Sequence, residues 1–363
     1  MNEKAQTPTL KTIAKIAGVS EATVSRALNK HPSQSKATNE RIQKIAKEVG
    51  YVRHPYVTAL MRNMRQGHTV RENPTIALVH CLPASYYPNP IMSELSDGAS
   101  QQAKSLRFNI DNLYLKKRGM SPERLYSILI NRGVRGIIFE HVADGDIPLS
   151  FDLSRFACVT TQFAHGLPFL HKVTVNVYDN LLASLDECLN RGYRRIGLLL
   201  SKEQEINNHY QRRAAFKAAK DKFAKEANLY IREPNNQSEF DIKSWIQRNG
   251  IQVVLGSHSQ TSDQILASGL KIPEDVSYLN LDAYETEPHD LTGMRAGWKE
   301  VGKTVINQVV DQLIRNEYGI PEHPIRTTVA GKWHEGFTLP NLNDSENKQP
   351  KWENLEKTIL SQR

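Results

Sequence analysis

From Thr75 onward, short apolar runs alternate with amphipathic stretches of helical period, and no other feature of the chain restricts its fold as much. Thr75–His80, Phe108–Tyr114, Gly136–Glu140, Ala157–Thr161, Arg195–Leu200, Val253–Gly256, Val276–Leu281 and Thr327–Gly331 have the length and character of buried strands. Between them, Pro90–Leu106, Glu123–Arg132, Leu181–Arg191, Tyr210–Glu226 and Lys299–Asn316 read as helices. Repeated strand-helix order predicts parallel sheets covered by helices on both faces. Two such units with a cleft at the carboxyl ends of their strands form a ligand site. The chain has 363 residues, more than the roughly 250–300 that one core serves, so several domains are expected.

Charge marks a boundary within the chain. Residues 1–70 hold seven Lys and five Arg against four Glu, whereas the remainder holds thirty-five basic and thirty-five acidic groups. The whole excess of +8 therefore belongs to a small head on a neutral body. A basic module of this kind suits a polyanion, because each Lys or Arg that neutralises a phosphate releases a condensed counterion. A solvated basic face is the plainer alternative.

Other classes are disfavoured. No apolar run approaches the ~18 residues of a membrane-spanning helix, and the N-terminus has no hydrophobic stretch of the secretory kind. Cys81, Cys158 and Cys188 lie far apart among apolar neighbours, as buried free thiols of a reducing compartment would. No P-loop, GxGxxG, GxSxG, HExxH or CxxC pattern occurs. No catalytic residue, metal or cofactor is expected.

Within the head, Leu10, Ile13, Ala14 and Ala17 form one helical face, which Gly18 ends. Ser20 is a good N-cap for a second helix with Val24, Ala27 and Leu28 inside. A third carries Ile42, Ile45, Ala46 and Val49. Three short helices, the first two joined by a tight glycine turn, match the helix-turn-helix plan. Glu21, Ala22, Ser25, Arg26 and Asn29 face away from the apolar side of the second helix. Such a face can enter a major groove, where Arg26 would grip guanine, Glu21 accept from cytosine, and Ala22 or Thr23 meet a thymine methyl. An ordinary polar helix surface would look the same.

Ala17-Gly18-Val19-Ser20, followed two residues later by Thr23-Val24-Ser25-Arg26-Ala27-Leu28-Asn29, resembles the signature of LacI/GalR-type transcription regulators. Thr12 stands where that family usually has Asp. The resemblance implies double-stranded DNA as partner, with Ser20, Glu21, Ala22, Thr23, Ser25, Arg26, Asn29 and Tyr51 as contacts. It also implies a hinge helix at about 54–62, in which Pro55 takes the first helical position and Leu60 falls where the family's minor-groove wedge lies. Arg53 and Val57-Thr58 depart from the family's hinge pattern, and a plain amphipathic linker is the alternative.

Val175-Asn176-Val177-Tyr178-Asp179-Asn180, Leu189–Gly197 and Ile272–Ser277 are similar to the effector domain of the same family. The implied fold is an all-α helix-turn-helix head plus a two-lobed α/β, periplasmic-binding-protein-like domain of parallel sheets. Expected boundaries are 1–62 for head and hinge, 63–73 for a linker, 74–340 for the body and 341–363 for a polar tail. Lobe 1 would span about 74–193 and 295–324, and lobe 2 about 194–292 and 325–340. By resemblance, Arg212 forks onto ligand oxygens and Asp282 accepts from sugar hydroxyls. Asp179 lies at the cleft edge, and Tyr86, Tyr87 and Asn89 stand in the loop after the first strand. Ser257-His258 replaces the family's Asn-Asp. Helix capping is the alternative for Asp179 and Asp282, and a plain surface role for Arg212. The reading is a cytoplasmic, homodimeric regulator, expected to be a repressor, that binds a near-palindromic operator under control of a sugar-like effector. A solute-binding protein of the same two-lobed fold, without the DNA function, is the rival.

Overall fold

The computed structural model describes residues 10–28, 34–49, 73–82, 90–140, 151–161, 169–234, 240–285 and 290–344. They divide into two units, Met1–Arg71 and Glu72–Arg363. The expected hinge helix and linker, and the tail from 345, lie outside the described residues.

In the first unit, α1 (Leu10–Ala17), α2 (Glu21–Leu28) and α3 (Lys36–Glu48) close around Ile13, Ala14, Ala17, Val24, Ala27, Ile42 and Ala46. These are the faces that the spacing marks as apolar; the Leu10 side chain lies outside the described set. Gly18 adopts φ +67°, a left-handed turn that would cost a residue with a Cβ about 1–2 kcal/mol. The turn returns the Val19 N–H to the Ala14 carbonyl at 3.1 Å. Ser20 Oγ then accepts from the Thr23 N–H at 3.1 Å, which starts α2. Arg41 on α3 donates through Nη2 to the Ala17 carbonyl at 2.8 Å, satisfying an end carbonyl of α1. Ser35 caps α3 through the Thr38 N–H at 3.2 Å.

The second unit runs β1 (Thr75–His80), α4 (Pro90–Ser105), β2 (Asn109–Tyr114), α5 (Pro122–Asn131), β3 (Gly136–Glu140), β4 (Ala157–Thr161) and β5 (His171–Val175). It continues through α6 (Val177–Asn190), β6 (Arg195–Leu199), α7 (Lys202–Asn207), α8 (Gln211–Lys222), β7 (Asn228–Arg232), α9 (Ile242–Asn249) and β8 (Val253–Gly256). It finishes with α10 (His258–Ala267), β9 (Ser277–Ala283), β10 (Gly293–Arg295), α11 (Trp298–Arg315), β11 (Arg326–Val329) and β12 (Lys332–His334). Two six-stranded sheets result, ordered β11-β5-β4-β3-β1-β2 and β12-β10-β9-β8-β6-β7. Among the described residues every strand pairing is parallel except β10 with β12.

Each sheet is the floor of one lobe. In lobe 1, Ala77, Val79, Ile137, Phe139 and Cys158 pack against Leu125 and Leu129 of α5. On the other face α4 and α11 meet backbone to backbone. A Cβ on Gly98 would lie 2.0 Å from the Lys299 carbonyl oxygen, and one on Gly302 2.1 Å from that of Leu95, so both positions require glycine.

The lobe boundaries differ from those expected. Lobe 1 was expected to extend to about 193, yet α6 contributes Leu181, Leu185, Cys188 and Leu189 to the lobe 2 core with Ile196, Leu198 and Phe216. The chain therefore changes lobe at Asn176, between β5 and α6. It returns between β10 and α11, after Ala296, because β10 pairs with β9. The last passage is at 330–331 and not near 324, because β11 pairs with β5 while β12 pairs with β10. The elements β5, β7, β10, β12, α7, α9 and α10 add to those read from the sequence; β10 and β12, with three residues each, are too short to express a period.

Candidate functional site

In the head, Ser20 and Glu21 are exposed at the start of α2, and Arg26 is exposed in its last turn. Thr23 is half-buried and its Oγ1 lies 3.0 Å from Ser20 Oγ. Ala22 and Ser25 belong to α2, but their side chains lie outside the described set, as do Asn29, Tyr51 and Leu60 altogether. Val24 and Ala27 anchor the opposite side of α2 at 0% exposure. A charged edge is thus mounted on a helix that its two neighbours hold fixed.

In the body, both sheets reverse their winding between two adjacent strands, and the crevice outside the carboxyl ends of such strands is where ligands bind. In lobe 2 those strands are β6 and β8. Arg212, at the start of α8, is 4% exposed and donates through Nη2 to Asp282 Oδ2, a carboxylate 7% exposed within β9. Two of the expected ligand residues, seventy positions apart, are therefore joined in a buried ion pair. Asp282 lies in a strand and caps no helix. The other donors of Arg212 find no acceptor among the described residues.

Glu205 was not singled out. It is fully buried, and its Oε2 accepts from the Arg213 N–H at 3.2 Å, capping α8 where Tyr210 gives no side-chain bond. Its Oε1 has no partner among the described residues. Burial pushes its carboxyl pKa up, against the pull of Arg212 and Arg213. The turn before α8 places His209 and Tyr210 in left-handed conformations, φ +47° and +58°, a strained geometry that surrounding contacts must hold.

The remaining expected ligand residues are dispersed. Ser257, 7% exposed, is the N-cap of α10 but makes no side-chain cap bond. His258 opens α10, its side chain outside the described set. Asp179 is exposed in the first turn of α6, where Asn176 Nδ2 donates to its Oδ2 at 2.6 Å and its N–H donates to Asn176 Oδ1 at 3.2 Å. That is the capping arrangement. Tyr86, Tyr87 and Asn89 lie outside the described residues.

Lobe 1 carries a polar group that sequence inspection missed. Its reversal falls between β1 and β3, whose last residues are His80 and Glu140, 2% and 0% exposed. His80 Nδ1 bonds Glu140 Oε2, Nε2 lies 2.9 Å from Asn112 Oδ1, and the ring stacks on Tyr114 at 4.6 Å. Both ring nitrogens face acceptors, which only the imidazolium can serve at once. Burial alone would lower the His80 pKa, but the bond and charge of Glu140, with the bond to Asn112, hold it above its ordinary value.

The three lobe passages meet in one knot. Asn180 Oδ1, 6% exposed as a residue, accepts from the Gly331 N–H at 2.9 Å. A Cβ on Gly331 would lie 2.8 Å from Asn180 Nδ2 and 2.9 Å from the Arg295 carbonyl oxygen. No described helix is long and apolar enough to cross a membrane.

Comparison with known proteins agrees with this organisation. Residues 9–54 match the family model of bacterial regulatory proteins, lacI family. Residues 185–336 match that of a periplasmic binding protein-like domain. The HTH-type transcriptional repressor CytR of Escherichia coli (strain K12) is 25% identical over 326 residues, covering 84% of this chain and 89% of that one. Among solved structures, a transcriptional regulator CelR–cellobiose complex covers 91% of this chain and 99% of its own, with a TM-score of 0.57 and 20% identity. A lac repressor dimer bound to operator and the anti-inducer ONPF covers 92% and 100%, with a TM-score of 0.53 and 17% identity. From the glycine turn and capped second helix through to the paired parallel sheets, sequence and fold agree with these matches: the chain joins a lacI-family DNA-binding module at residues 9–54 to a periplasmic binding protein-like domain.

Proposed function

We propose that this regulator is a cytoplasmic repressor that binds a near-palindromic operator as a homodimer and is controlled by a small sugar-like ligand in the cleft of its body. The observation that carries the reading is α2: Glu21 and Arg26 stand exposed on a helix whose reverse is sealed by Val24 and Ala27. In the groove, Arg26 grips a guanine through O6 and N7. Ser20, Glu21, Ala22, Thr23, Ser25 and Asn29 complete the contact face, Tyr51 adds to it, and Leu60 wedges the minor groove. Selection of sites from random duplexes tests this. Arg26→Ala is expected to lose ~1–3 kcal/mol and relax one base position; an unchanged recovered motif rejects the role.

For the ligand, we assign Arg212 and Asp282 as the principal contacts, with Tyr86, Tyr87, Asn89, Asp179, Ser257 and His258 as further candidates. An acceptor beside a guanidinium with donors to spare suits a hydroxyl, which both gives and takes a hydrogen bond. Similarity to a regulator complexed with cellobiose supports a sugar, and similarity to a dimer on its operator supports the assembly. Control follows from linkage: a ligand that binds one lobe arrangement better shifts the population, and DNA affinity shifts with it. Melting the full chain against a sugar panel is the test, since a ligand at 100 times its Kd adds about 2.7 kcal/mol. A shift with purines or amino acids and none with sugars defeats the sugar assignment.

A further inference from the structure

Among the described residues, a hydrogen bond joins the lobes away from their covalent passages. Glu94, in α4 of lobe 1, accepts through Oε1 from the backbone N–H of Glu285 at 2.6 Å. Glu285 follows β9 of lobe 2, three residues beyond Asp282. The end of β9 is thus held at two points: by Arg212 within its own lobe through Asp282, and by Glu94 across the cleft. Glu94 is 8% exposed, and an N–H donating to a carboxylate is about twice as strong as a neutral pair.

We infer that Glu94 is a latch between the lobes, holding the end of β9 to lobe 1 so that a ligand engaging Arg212 and Asp282 alters lobe spacing through this bond. The inference rests on the cleft reading above for its ligand, but the latch itself is testable without one. A ligand that moves Asp282 moves a backbone N–H three residues on, and the 2.6 Å contact leaves little slack before that bond lengthens. Among the described residues, the Glu94 carboxylate bonds lobe 2 at the Glu285 N–H, so it senses that lobe.

The charges facing Glu94 are Glu285 itself, Arg295 at the end of β10, and Lys299 at the start of α11. Burial and the neighbouring Glu285 raise the Glu94 pKa, while the Glu285 N–H, Arg295 and Lys299 pull it down; the balance is upward. Mild acid therefore neutralises Glu94 before an ordinary glutamate, and removes the charge that strengthens the latch.

Two measurements on the full chain test this. Amide hydrogen exchange reads the Glu285 N–H directly: Glu94→Ala should accelerate it at least about tenfold, the loss expected of a bond to a charged group. Glu94→Gln keeps the shape and an acceptor, so it should exchange at an intermediate rate and lose the acid sensitivity of the wild type. Spin labels on Ser127→Cys and Gln247→Cys, one per lobe and both at exposed positions, read the lobe separation in chains diluted with unlabelled protein. Cys81, Cys158 and Cys188 are buried and free and stay unlabelled. Glu94→Ala should broaden the distance distribution. If Glu285 exchange is unchanged in both variants, or the distances superimpose, the latch is overturned and the cleft reading stands. If a sugar stabilises the wild type, Arg212→Ala should abolish that binding, whereas Glu94→Ala should bind yet no longer change the lobe distance. Retention of the distance change in Glu94→Ala overturns the coupling alone.

Discussion

The two lobes wind their sheets in the same order and reverse at the same place, yet they finish that place with opposite chemistry. Lobe 1 closes β1 and β3 with His80 and Glu140, and both imidazole nitrogens meet acceptors of the same lobe. Lobe 2 brings Arg212 to Asp282, and the other donors of that guanidinium find no acceptor among the described residues. An imidazole with both nitrogens bonded is fixed in place, while a guanidinium with unspent donors can take a guest. The shared topology supplies a crevice in each lobe, and only the side chains decide which wall is inert.

The comparison breaks most readily at His80. Its replacement by Ala strands Glu140 at 0% exposure, so urea unfolding should show a loss of about 3–5 kcal/mol, the cost of breaking a buried pair from one side. Asp282→Ala should cost less, about 1.5–3 kcal/mol, the range of a hydrogen bond to a charged group, because Glu205 also faces Arg212. A reversed order would show that lobe 2 holds the rigid pair. Acidity sharpens the same contrast with a smaller effect. Because the folded pKa of His80 is raised, its contribution is whole below the unfolded value of about 6.5 and fades as pH climbs through the folded one. The stability gap between wild type and His80→Gln should therefore narrow toward alkaline pH; a gap that widens excludes the imidazolium. The smallest effect concerns helix caps. Ser121 Oγ accepts from the Arg124 N–H at 3.3 Å in lobe 1, so Ser121→Ala should cost about 1 kcal/mol. Ser257 in lobe 2 makes no such bond, and Ser257→Ala should stay within about 0.5 kcal/mol in thermal unfolding. Equal losses would remove the distinction.

Much of the head was legible because its determinants are local. Gly18 and Ser20 act within four residues, and the apolar faces of all three helices repeat every third or fourth position. The strands of the body were legible for a related reason, since residues buried on both faces make continuous apolar runs. Of the candidate ligand residues, a family pattern marked Arg212 and Asp282, whose pairing only the structure shows. His80 and Glu140 left a faint trace, polar residues closing two apolar runs, but sixty positions separate them and nothing in either run names the other.

Local sequence alone determined which segments become helix or strand, where the head turns, and which edge of α2 carries charge, because backbone sterics and burial period act over a few residues. The fold decided the rest. Whether α6 belongs to one lobe or the other depended on which core Leu181 and Leu185 fill. Whether Glu94 meets Glu285, 191 positions away, depended on the path that brings the two lobes together. Such pairs arise from the path of the chain in space, which no short stretch of residues encodes.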